Sequence, residues 1–167
     1  MYTSSMSILP HVTPAPAAKS KDITRIATFY AAVIVVMVVS QLFTFESFVL
    51  LFREYHLPVS AHLSTFLSAL LVVCEVFALP FLLRMSLSPA FRVVSIVSGW
   101  GVAMLWLLIT VWLVSTESMI GTVGFFGTVF DTMPGWWAVC ISLVFCILAA
   151  WSSWGMWPGR RVVARKK

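Results

Sequence analysis

Six carboxylates, three histidines and three cysteines are the side chains of this chain best suited to acid–base, metal-binding and thiol chemistry. Their spacing excludes most of the chemistry they could do. His11, His56 and His62 are scattered, and no cysteine accompanies them at ligand spacing, so no zinc pattern exists. Cys140 and Cys146 stand six residues apart, which rules out an intrahelical disulfide and is not the CxxC spacing of a redox pair. A buried cysteine more commonly acts as a small apolar residue. A Cys74 to Cys146 pairing between helices is the remaining alternative. Gly121, Gly124 and Gly127 do not match the GxGxxG fingerprint and follow no strand, so they carry no nucleotide-binding signal. What stands out is Glu75, an acid in the middle of an apolar stretch.

The elements that would position Glu75 are apolar and long. The composition is 60% hydrophobic and 10% charged, far from the roughly one quarter charged of soluble domains. Segments of about 20 such residues cross a bilayer, and four can be read: Ile26 to about Phe45, Ala61 to Leu83, Val93 to Val114, and Trp136 to Trp154. Unpaired peptide groups in lipid cost several kcal/mol, so the spans are expected to be helices. The fold class is therefore all-α, an integral membrane four-helix bundle. The first apolar stretch runs on from Ile26 to Phe52, about 40 Å of straight helix and too long for one vertical crossing. A short helix from Phe45 to Phe52 lying in the outer interface is expected, ended by Leu57-Pro58. Residues 1–24, with Pro10, Pro14 and Pro16, read as a disordered tail, and 158–167 as a basic tail.

Orientation follows from charge. All eleven Lys and Arg residues except Arg53 fall on one side: Lys19, Lys21 and Arg25 before span one, Arg84 and Arg92 between spans two and three, and the rest after span four. Basic residues near span ends stay in the cytoplasm, so both termini are expected inside. This distribution explains the formal charge of +5 better than nucleic-acid binding does. Trp136 and Trp137 at the outer end, and Trp151, Trp154 and Trp157 at the inner end, stand where interfacial anchors would.

With the boundaries set, depth can be counted. Glu75 is nine residues from Arg84, about 13 Å from the inner boundary. Ser64, Ser68, Leu71 and Glu75 share a helical face expected to point into the bundle. No Lys or Arg reaches that depth, so Glu75 is expected to be protonated and hydrogen-bonded, or solvated by a small polar cavity. Its neighbours by depth are Cys74 beside it and Cys146 of span four, giving an intramembrane polar site of Glu75, Ser68, Cys74 and Cys146. A second polar group, Glu46, Gln41 and Arg53, is placed toward the outer interface, with Glu46 and Arg53 close enough on one face for a weak ion pair. Small residues recur every fourth position in span three (Ser95, Gly99, Ala103) and span four (Ala138, Ser142, Cys146, Ala150), a close-packing signature. The loop between those spans, with its three glycines, Phe125, Phe126, Phe130 and Pro134-Gly135, is expected to dip into the headgroup layer or cover the mouth of the bundle.

The aromatic run Gln41-Leu42-Phe43-Thr44-Phe45-Glu46-Ser47-Phe48, then Leu57-Pro58, then Cys74-Glu75-Val76-Phe77-Ala78-Leu79-Pro80 resembles the DoxX and MauE group of small bacterial membrane proteins over residues 26–155. Members of that group accompany quinone-linked oxidases or the maturation of a periplasmic, disulfide-rich dehydrogenase. The resemblance implies an accessory or assembly subunit of a quinone- or thiol-linked redox system in the bacterial inner membrane. It implies a quinone as cofactor, a membrane or periplasmic oxidoreductase as partner, and Glu75 as the matching second-span acid. The residues alone leave two other readings open: a proton or small-molecule conduit through Glu75, and a purely structural subunit.

Overall fold

The computed structural model describes residues 20–58, 60–117 and 120–156. Five helices follow in order: α1 (Lys21–Phe43), α2 (Phe45–Glu54), α3 (Ala61–Leu82), α4 (Pro89–Ser115) and α5 (Trp136–Met156). All but α2 are long and apolar enough to cross a membrane. Their outward faces carry large apolar side chains such as Phe29, Val36, Val97 and Leu108, each more than half exposed. That surface suits lipid and not water, and the chain is a multi-pass membrane protein. The expected N-terminal tail to residue 19, Trp157, and the basic tail of 158–167 lie outside the described residues.

Serine caps set where three of the helices begin. Ser20, Ser60 and Ser88 each accept a hydrogen bond from the amide three residues on, those of Ile23, Leu63 and Phe91. Ser20 starts α1 within the stretch expected to be tail, so residues 21–24 are helical. Ser88, with Pro89 at the first helical position, starts α4 four residues before the apolar run. Both corrections arise because caps, and not hydropathy, set where a helix begins.

Thr44 separates α1 from α2. Its hydroxyl donates to the Ser40 carbonyl at 3.0 Å and accepts from the Thr128 amide at 3.1 Å. The long first apolar stretch thus resolves into a span and a short helix, as its length requires. α2 buries Phe48, Leu51 and Phe52, with Tyr55 just beyond it, and exposes Glu46 and Arg53.

The helices pack in sequence as α1 on α3 and α5, α3 on α4, and α4 on α5, with α2 lying on α3. An even number of crossings returns the chain to the end where it started, and Ile23 of α1 packs closely on Gly155 of α5. The small-residue stripe of α4 does what its spacing suggested, since Gly99 admits Ala78 of α3. On α5 the buried face is Ala138, Ser142, Phe145 and Ala149, while Cys146 and Ala150 are only half-buried. The fourth-residue repeat drifts off the contact face because a helix turns in 3.6 residues.

Pro80 lies inside α3. Beside it, the Ser95 hydroxyl donates to the Phe77 carbonyl at 2.6 Å and accepts from the Phe81 amide at 3.1 Å. A side chain of α4 thereby satisfies backbone groups at a proline in α3, the usual accommodation of proline within a membrane helix. Ser95→Ala is expected to destabilise the bundle by about 1–3 kcal/mol, because those groups would be left in an apolar interior. Comparing the unfolding of wild type and variant in mixed micelles checks this.

Candidate functional site

Glu75 is fully buried at the centre of the bundle. Its Oε1 accepts two hydrogen bonds, from Gln41 Nε2 of α1 at 3.2 Å and from the Trp106 indole of α4 at 3.1 Å. Gln41, also fully buried, donates from the same nitrogen to the Phe125 carbonyl at 3.0 Å. One carboxyl group therefore ties together α1, α3, α4 and the loop before α5.

That loop descends into the mouth of the bundle, the second of its two expected placements. Val123 and Phe125 are buried. The Phe125 ring packs against Trp106 at 4.7 Å between centroids and edge-on against Phe145 at 5.7 Å. Loop residues hold one another through Val123 N to Thr132 O at 2.7 Å and Thr122 Oγ1 to Phe130 O at 3.0 Å. From α2's end, the Tyr55 hydroxyl donates to the Val123 carbonyl, and the Trp112 indole of α4 donates to the Tyr55 carbonyl at 3.1 Å. Burial pushes the Tyr55 hydroxyl's pKa well above its ordinary value, so it acts as a fixed donor. Gly124 (φ +85°) and Gly127 (φ +60°) supply the left-handed turns that bring the loop backbone against Tyr55 and Thr44.

The sequence-derived site residues are redistributed. Ser64, Ser68, Leu71 and Glu75 do form one buried face of α3, but the Ser68 hydroxyl bonds back to the Thr65 carbonyl and not toward the acid. Cys146 is not the carboxyl's polar partner. Its thiol donates to the Ala103 carbonyl of α4 at 3.6 Å, and the Cys74 thiol engages Ser98 of the same helix. Both sulfurs are turned onto α4 and are free, as is the exposed Cys140.

The outer group divides. Gln41 belongs to the Glu75 cluster, whereas Glu46 and Arg53 stay exposed, and Arg53 reaches Thr65 Oγ1 at 3.1 Å instead of Glu46. Counting depth misplaced Gln41 because it followed backbone rise alone. Helix side chains lean toward their own N-terminus, so Gln41 of α1 and Glu75 of the antiparallel α3 reach toward each other.

Trp106 and Tyr30 escaped the sequence reading. Aromatic residues with a polar tip favour the interfacial belts, so a tryptophan well inside span three was a usable signal of a buried acceptor. Tyr30 is buried, and its ring packs tilted against Phe145 at 6.3 Å between centroids.

Chemically, the cluster is an enclosed carboxyl with two fixed donors. The N–H groups that could hold a quinone carbonyl, those of Gln41 and Trp106, are already engaged by Glu75 and Phe125. The interior as packed therefore does not fit a quinone headgroup. Comparison with known protein families, with characterised proteins and with solved structures finds no match for this chain.

Proposed function

We propose that this chain is an accessory or assembly subunit of a membrane redox system, quinone- or thiol-linked, in which the partner holds the redox group. The observation that carries the reading is the tether from Glu75 through Gln41 to the Phe125 carbonyl, which fixes an outer loop from inside the membrane. A loop so fixed presents Phe130, Met133 and Trp136 as a rigid exposed apolar edge, suited to another membrane or periplasmic subunit. The resemblance to DoxX and MauE proteins at Glu75 points to the same class of role. The conduit reading is weaker, because Glu75 is fully buried under Phe125 and a conduit needs polar groups in series.

The proposed setting is the bacterial cytoplasmic membrane with both termini inside. Its support is the gathering of Lys21, Arg25, Arg84 and Arg92 at the end where α1 starts and α3 passes to α4, with Arg53 at the other. In a host strain, Glu75→Leu, which removes the acceptor that anchors the tether, is expected to lower the assembled amount or activity of one oxidoreductase several-fold when compared at equal levels of this protein in the membrane. Quinol oxidation and periplasmic dehydrogenase assays on membranes and periplasm measure it. Unchanged activities in both this variant and a deletion strain would count against the redox role.

A further inference from the structure

The two oxygens of Glu75 have unequal surroundings. Oε1 accepts from Gln41 Nε2 and from the Trp106 indole, so both of its lone pairs are engaged. Oε2 is buried and finds no hydrogen-bond partner among the described residues, and neither does Oε1 of Gln41, whose amide touches the carboxyl at 3.2 Å. An uncovered oxygen in an apolar interior is costly, and two of them on a contacting pair of side chains point to one ligand that serves both.

Turning the amide over does not supply it. Gln41 Nε2 sits between two acceptors, Glu75 Oε1 and the Phe125 carbonyl, so reversal would set oxygen against oxygen at both contacts. Nor does a basic side chain reach the site. Glu75 and Gln41 are fully buried, whereas no Lys, Arg or His among the described residues is buried. An ionised carboxylate there would stand inside the membrane without a counter-charge.

The ligand that serves two acceptors and removes that charge is a proton. We propose that Glu75 is a proton-binding site, held as the neutral acid, with the proton on Oε2 and donated to Gln41 Oε1. The lone pairs of Oε1 are already taken, which leaves Oε2 as the oxygen that carries it. A neutral acid and a primary amide then complete each other, the amide N–H donating to Oε1 and the acid O–H to the amide oxygen. This links α1 to α3 by two hydrogen bonds instead of one, with the second amide hydrogen kept for the Phe125 carbonyl. The proton thus becomes part of the tether that holds the outer loop. This inference does not depend on the redox role.

Infrared spectroscopy of the full chain at neutral pH, in maltoside micelles that carry no carbonyl of their own, tests it. Asp22, Glu46, Glu54, Glu117 and Asp131 are all exposed, which leaves Glu75 as the one enclosed source for a carboxylic-acid carbonyl band. Wild type is expected to show that band and Glu75→Gln to lack it. In Gln41→Leu the band should persist and move to higher frequency, because Oε1 loses a donor and the acid O–H loses its acceptor. A difference between wild type and Glu75→Gln that contains carboxylate stretches and no acid band would overturn the site, as expected if water or a cation covers the two oxygens. An acid band left unmoved by Gln41→Leu would overturn the pairing with the amide.

Discussion

Glu75→Leu is expected to destabilise the bundle by about 2–4 kcal/mol. Removing a lone buried acid can be neutral or even favourable when its partners go with it. Here they remain. The Trp106 indole and the Gln41 amide both donate to Oε1, and leucine would leave the first without an acceptor and the second with only the Phe125 carbonyl. A buried donor left unsatisfied costs about 1–3 kcal/mol, although hydrogen bonds within membranes often measure toward the low end. Glu75→Gln keeps an acceptor oxygen where the indole and amide need it, and is expected to cost less than about 1 kcal/mol. Reversible unfolding of the three proteins in mixed micelles separates packing from chemistry. Leu as stable as wild type would show that the hydrogen bonds contribute nothing net.

Gly127→Ala is expected to cost about 2–4 kcal/mol through the loop instead of the helices. Gly127 has φ +60°, a conformation that costs a residue with a Cβ about 1–2 kcal/mol. The added methyl would also press on Thr44 Oγ1, on the Ser40 carbonyl at 3.0 Å and on Gln41 Cα at 3.2 Å. Two of those are backbone atoms of α1 and cannot swing aside, which adds about 1–3 kcal/mol of overlap. Gly121→Ala is the internal control. A Cβ there meets nothing within 4 Å, so its effect should stay within about 0.5 kcal/mol. Equal effects of the two substitutions, read as shifts in thermal midpoint, would contradict the close approach of loop and α1.

The spans were legible because length and hydropathy constrain a membrane helix tightly, and α2 because the first apolar stretch exceeds one crossing. The buried face of α3 was legible for the same kind of reason: a polar residue in lipid must turn inward, so the periodicity of Ser64, Ser68 and Glu75 names a direction. The partners of Glu75 were not. Gln41 reaches the acid because side chains of the antiparallel α1 and α3 lean toward each other, a direction that depth counted along the backbone leaves out. Trp106, a tryptophan well inside span three, signals a buried acceptor in sequence but not which residue supplies it. The Phe125 carbonyl is backbone, carrying no sequence signature, and it enters the bundle only because Gly124 and Gly127 turn the loop inward. Depth counted along straight spans fails wherever a loop returns into the membrane.

The tether from carboxyl to loop makes the account's central claim, and hydrogen exchange in the loop tests it most directly. In bilayers or nanodiscs, the amides of Val123, Gly127 and Thr128, bonded to Thr132 O, Gly124 O and Thr44 Oγ1, should exchange slowly in wild type and in Glu75→Gln. They should exchange much faster in Glu75→Leu and in Gln41→Leu, although neither substitution lies in the loop. Loop protection that is unaltered in both leucine variants, with the helices still folded, would contradict it.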